Sequence, residues 1–95
     1  MMVVTYDVDM TEKSGAKRLR KVAKVCENFG IRVQNSVFEL LVDNGQYIKI
    51  KSELMKIIDL EKDSVRFYRL GKSWQTKIET IGIADQIKQD DTLIL

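Results

Sequence analysis

Val3, Val4, Tyr6 and Val8 give the start of the chain the apolar run of a central β-strand. Asp9 to Gly15 is polar and predicts a loop, with Thr11 or Ser14 as helix cap and Glu12 favourable near the helix N-terminus. Ala16, Leu19, Val22, Ala23, Cys26 and Phe29 then recur at helical spacing, which makes one helix face apolar. Lys17, Arg20, Lys21 and Lys24 fall largely on the other face, and Gly30 is placed to end the helix as its C-cap. In GIRVQNSVFELLVD the alternation changes phase near Gln34–Ser36. Ile31 and Val33 share one face, and Phe38, Leu40 and Val42 share one later. Two strands with a tight turn at Asn35 account for this, with a bulged single strand as the alternative. Asp43, Asn44 and Gly45 punctuate the chain. Tyr47, Ile50, Leu54, Ile57 and Ile58 mark a second amphipathic helix, and Asp59 to Asp63 reads as a charged connection. SVRFYRL follows as a strand, with Val65 and Phe67 on one face and Tyr68 and Leu70 on the other. Gly71 to Ser73 turn the chain, and Thr76 to Ile83 reads as a further strand. After a polar stretch, TLIL ends the chain as a short apolar strand.

The order is β-α-β-β-α-β with further strands. This is an α+β, ferredoxin-like βαββαβ sandwich with a C-terminal extension over about residues 84–95. Ninety-five residues suffice for one small domain, residues 1–95, and chains this short often gain stability by pairing. An apolar terminal strand would leave a free sheet edge, so a homodimer with exchanged or added C-terminal strands is expected. The apolar runs are too short to span a membrane, no signal-peptide pattern is visible, and a lone cysteine fits a reducing compartment. A cytoplasmic protein is expected.

Composition narrows the chemistry further. The chain has no histidine, which removes Ser-His-Asp and Cys-His catalysis and the common zinc sites. Its glycines form neither a Walker A loop nor a G-x-G-x-x-G turn. Net charge is only +2, but Lys13, Lys17, Arg18, Arg20, Lys21 and Lys24 cluster with no acid among them. Such a cluster suits phosphates, and equally a solvated helix face.

Asp7 and Asp9 stand where the first strand ends. A carboxylate there can shape a turn, cap a helix or bind a metal, and spacing alone favours the first two roles, above all for Asp9. Asp7 follows directly on an apolar run, where an unpartnered charge is costly. Oxygen ligands suit magnesium or manganese, and magnesium often takes one or two protein carboxylates. One acid per chain is a thin site; two copies of Asp7 facing each other across a dimer axis make a better one. A cation held there would activate water toward a phosphodiester and steady the charge that builds on the phosphate, without any histidine. Tyr6, Phe38, Phe67, Tyr68 and Trp74 could stack on bases, although strand aromatics are more often core or interface. Structural roles are favoured for Arg66 and Arg69, with Arg32 left open.

VVTYDVD, then RLRKVAKVCENFGIRVQNSVFELLVD, then DSVRFYRLG resemble the family of CRISPR-associated protein two, the small adaptation protein of CRISPR systems, over nearly the whole chain. The specific parts are Tyr-Asp at the exit of strand one, a basic first helix, and the run Arg32, Gln34, Ser36, Val37, Phe38 and Glu39. RLRKVAK and RVQNSVFE look closest to the type I-C branch. The resemblance implies a homodimer with metal-dependent endonuclease activity on double-stranded DNA or single-stranded RNA. Its magnesium (Mg2+), replaceable by manganese, would be bound by Asp7 from both subunits, with Tyr6 beside it in the catalytic motif. It implies roles in activity or substrate contact for Arg32 and Phe38. Arg18 and Arg20 lie near the family's basic positions, beside Lys17 and Lys21 of the same helix. Asn35 stands where many members carry an aromatic residue. The resemblance also implies a spacer-acquisition role in which the dimer binds duplex DNA and bridges dimers of the CRISPR integrase, with DDTLIL as a docking strand. Two other readings keep the fold: a DNA-binding scaffold without relevant catalysis, and a toxin-like endoribonuclease.

Overall fold

The computed structural model describes residues 1–70 and 76–83. In chain order the elements are β1 (Met2–Asp7), α1 (Lys13–Glu27), β2 (Gly30–Gln34), β3 (Val37–Leu40), α2 (Asn44–Ile57), β4 (Ser64–Leu70) and β5 (Thr76–Gly82). The strands form one sheet in the order β2-β3-β1-β4-β5, and every neighbouring pair is antiparallel. The expected βαββαβ order and the strand after it are therefore present. The Gly71–Ser73 turn, Trp74 and the extension at 84–95, with its terminal strand, lie outside the described residues.

β1 sits at the centre of the sheet and obeys strict alternation. Met2, Val4 and Tyr6 are buried on the helix side. Val3, Thr5 and Asp7 therefore point to the other side. The helix side holds the core: Phe38, Leu40, Val65, Phe67 and Ile81 of the neighbouring strands pack with Val22, Ala23 and Cys26 of α1 and with Tyr47, Ile50 and Leu54 of α2. Burial of the Cys26 thiol pushes its pKa up to about 12, so it behaves as a small apolar core residue.

Two helix-cap expectations come out differently, while the expected pair of strands with a turn at Asn35 is present. Glu12, not Thr11 or Ser14, is the N-cap of α1, and no side chain caps it. The Ser14 hydroxyl instead accepts from Arg18. Gly30 opens β2, while the C-cap is Asn28 in an ordinary helical conformation. The phase change between β2 and β3 has two sources, a two-residue turn at Asn35–Ser36 and a register shift between Arg32 and Gln34. α2 starts with a capping box in which Asp43 and Gln46 exchange hydrogen bonds.

Candidate active site and nucleic-acid interface

Asp7 is the last residue of β1 and lies opposite Ser64, the first residue of β4. Its side chain is exposed, so the desolvation cost expected of an acid on an apolar run is not incurred. It shares the open face of the sheet with Val3 and Thr5. Asp9 is occupied otherwise. Its carboxylate accepts from the Thr11 amide at 2.9 Å and the Thr11 hydroxyl at 2.7 Å, closing a local turn. Those two bonds, the hydroxyl foremost, hold the Asp9 carboxyl below its usual range. Among the described residues no three acids or cysteines gather closely enough to hold a metal ion. Asp7 has oxygen donors a hard cation takes, yet among the described residues one chain brings only that one carboxylate to the strand end. The residues fit such a cation only as a site completed from outside the chain.

Tyr6 points to the opposite side of the sheet from Asp7. It is 2 % exposed, and its hydroxyl donates to Asp63 Oδ2 at 2.5 Å. Burial and that bond together raise the Tyr6 pKa well above the usual phenol value. In this structure Tyr6 has no surface to offer a substrate, because its ring is core and its hydroxyl is a structural donor. Phe38 is likewise fully buried, so its contribution here is packing. Arg32 reaches back over the β2–β3 turn, donating from Nε to the Asn35 carbonyl at 2.8 Å, with its guanidinium 5.8 Å from the Phe38 ring centroid. Its side chain stays exposed.

On α1 the basic residues divide. Lys17, Arg20, Lys21 and Lys24 are exposed and available to phosphates. Arg18 turns inward and makes a two-toothed ion pair with Asp63, Nε to Oδ2 at 2.7 Å and Nη2 to Oδ1 at 3.1 Å. Its guanidinium is committed, so Arg18 is set apart from the phosphate-facing cluster.

The residue that organises this region is Asp63, which the sequence presents as one more charge in a charged connection. It is completely buried. Besides Tyr6 and Arg18, its carboxylate accepts from the backbone amides of Asp9 at 2.9 Å and Asp59 at 3.0 Å. Burial pushes the Asp63 carboxyl up, but the Arg18 guanidinium, the Asp9 amide and the Tyr6 hydroxyl outweigh it and hold the group below the usual carboxylate range. Its backbone carbonyl accepts from Ile83 at the exit of β5. Gly82 passes so close, with φ of 99°, that a Cβ would fall 2.2 Å from that carbonyl oxygen. Gly15 serves the other side: a Cβ there would fall 2.3 Å from the Asp9 carbonyl oxygen.

A split βαβ sheet with an exposed acid at the exit of its central strand and a basic helix beside it is a small α+β protein with the charge footprint that suits phosphates. The family model described as CRISPR associated protein Cas2 matches residues 1–78, and the chain belongs to the Cas2 family. It is 53% identical over 94 residues to a "CRISPR-associated endonuclease Cas2" of Halalkalibacterium halodurans, covering 99% of this chain and 98% of the relative. It is 45% identical over 95 residues to a "CRISPR-associated endoribonuclease Cas2 3" of Rhodospirillum rubrum, covering 100% of both. The crystal structure of Streptococcus pyogenes Cas2 at pH 6.5 superposes with a TM-score of 0.72 at 56% identity, covering 78% of this chain and 90% of that one.

Proposed function

We propose that the protein is a metal-dependent endonuclease of CRISPR spacer acquisition, working as a homodimer in which Asp7 of each subunit contributes to one shared magnesium or manganese site. The observation that carries this reading is the placement of Asp7. It is an exposed carboxylate at the end of the central strand, on the sheet face that the helices leave open, in a family whose named members cut nucleic acid. Two copies joined through their open faces would bring the two carboxylates toward each other. When bound, the cation would polarise the scissile phosphate and lower the barrier to attack by water. The chain's own contribution is positional. Lys17, Arg20 and Lys21 would hold the nucleic-acid backbone along α1, and Arg32 would meet it at the β2–β3 turn.

Relatives named endonuclease and endoribonuclease leave both duplex DNA and single-stranded RNA as substrates to assay. In the cell the dimer would bind duplex DNA and bridge integrase subunits, a scaffold role that the exposed basic helix supports by itself. The deciding experiment incubates labelled duplex DNA and single-stranded RNA with the protein and with Asp7→Asn, in magnesium, manganese or EDTA. Metal-dependent cleavage that Asp7→Asn loses, with duplex binding intact, is expected. Equal cleavage by both proteins would remove Asp7 from the chemistry and leave the scaffold.

A further inference from the structure

Asp7 carries no hydrogen bond to its side chain among the described residues, so where its carboxylate sits depends on the backbone that carries it. The residues on either side of it are both tied to one buried group. Tyr6, just before it, donates its hydroxyl to Asp63 Oδ2. Asp9, two residues on, donates its backbone amide to Asp63 Oδ1. The span that holds Asp7 is thus pinned at both ends from beneath the sheet. The clamp is itself held from α1 by Arg18, from the α2–β4 connection by the Asp59 amide, and from the exit of β5 by Ile83. We infer that Asp63 is a positioning residue for the nuclease site, holding the exit of β1 so that Asp7 presents its carboxylate to the shared cation.

The chemistry of the cluster supports this over a purely stabilising role. A buried ion pair loses most of its attraction to desolvation, and well-packed apolar residues often serve stability as well. What such a pair supplies is direction, and every bond here is directed at the strand end that carries Asp7 or at the elements framing it. The carboxylate receives donors on both oxygens, and no buried polar side-chain atom among the described residues is left unpartnered. A fully satisfied network of this kind permits one arrangement of the strand exit.

The inference rests on the shared-cation reading above, and its test separates the two. Manganese is titrated into the full chain and amide signal broadening is followed at Asp7 and Val8, for wild type, Asp63→Asn, Tyr6→Phe and Asp7→Asn. Ile50→Val, a core change under α2, serves as a destabilised control. Wild type is expected to broaden first around Asp7, and Asp7→Asn to lose this. Asp63→Asn should need about tenfold more manganese and cleave about tenfold more slowly at saturating metal, as for residues that orient ligands. Its duplex affinity should match wild type, because it leaves the exposed α1 lysines untouched. Ile50→Val should match wild type on both readouts. If Asp63→Asn does not fold, Tyr6→Phe, which removes one donor, carries the test with a roughly threefold shift expected. Unchanged manganese dependence in Asp63→Asn, or in Tyr6→Phe where it stands in, overturns the inference and leaves the shared cation standing. No broadening around Asp7 in wild type overturns the shared-cation reading and this inference with it.

Discussion

Asp7 and Asp63 are the same residue type in opposite settings. The first is solvated at a strand end; the second is fully buried beneath the same strand. A sequence shows the first readily, because an acid that ends an apolar run breaks the pattern. It hides the second, because DLEKD looks like a solvated connection and the partners Tyr6 and Arg18 lie far away in the chain. The buried acid makes a pH prediction. Its folded-state pKa lies below the unfolded value of about 4. Its contribution is therefore fully present above that value and is lost as pH falls through the folded one. Glu79, held low by Lys51 and Tyr47 against its own burial, acts in the same direction. Urea midpoints measured from neutral pH downward should stay level and then drop below about pH 4. In Asp63→Asn the drop should be shallower but not absent. An equal drop in both proteins would mean that the buried carboxylate is not ionised in the fold. Asp63→Ala, which strands the Arg18 charge, should cost about 3–5 kcal/mol.

α1 shows how far an amphipathic pattern reaches. Its spacing correctly assigned the core-facing residues Val22, Ala23 and Cys26 and placed Lys17, Arg20, Lys21 and Lys24 outside. It could not show that Arg18, on the flank, turns inward, since a helical wheel gives direction without naming the partner. The two groups should separate by experiment. Reversing Lys17, Arg20 and Lys21 to Glu should weaken duplex binding and flatten its log–log salt slope by about 3, nearly one unit per lost phosphate contact. Arg18→Gln should instead lower the melting temperature and leave the salt slope nearly unchanged. The β2–β3 hairpin divides in the same way. Phe38→Ala should cost about 3–5 kcal/mol of stability as a core cavity. Arg32→Ala, at an exposed guanidinium, should leave stability within about 0.5 kcal/mol and reduce duplex affinity. A salt titration and a thermal melt on each variant decide both pairs.

With both helices packed on one side, the sheet's second face lacks a cover from the described residues of its own chain. Register places Val3, Thr5, Val37, Arg66, Tyr68, Leu70 and Ile78 on it, together with Asp7. Leu70 and Ile78 are about two-fifths exposed, at 40% and 38%, and Val3, Val37 and Tyr68 are half-buried. Glu39 and Thr80 share this face, so its apolar residues are interleaved with polar ones. On the proposed function a second copy of the chain is the occupant, because the same face carries Asp7 and the shared site takes one carboxylate from each subunit. The alternation of the strands was legible in the sequence, but which face the two helices would cover emerges only when both pack together. If the open faces join, Ile78→Asp should shift the protein from dimer to monomer in sedimentation at micromolar concentration. It should abolish metal-dependent cleavage although Asp7 is intact, because each monomer keeps half a site. Circular dichroism should show the βαββαβ sheet still folded, since Ile78 lies outside the core on the helix side. A dimer that survives Ile78→Asp would put the interface elsewhere, and the two Asp7 carboxylates would then need another route to one cation.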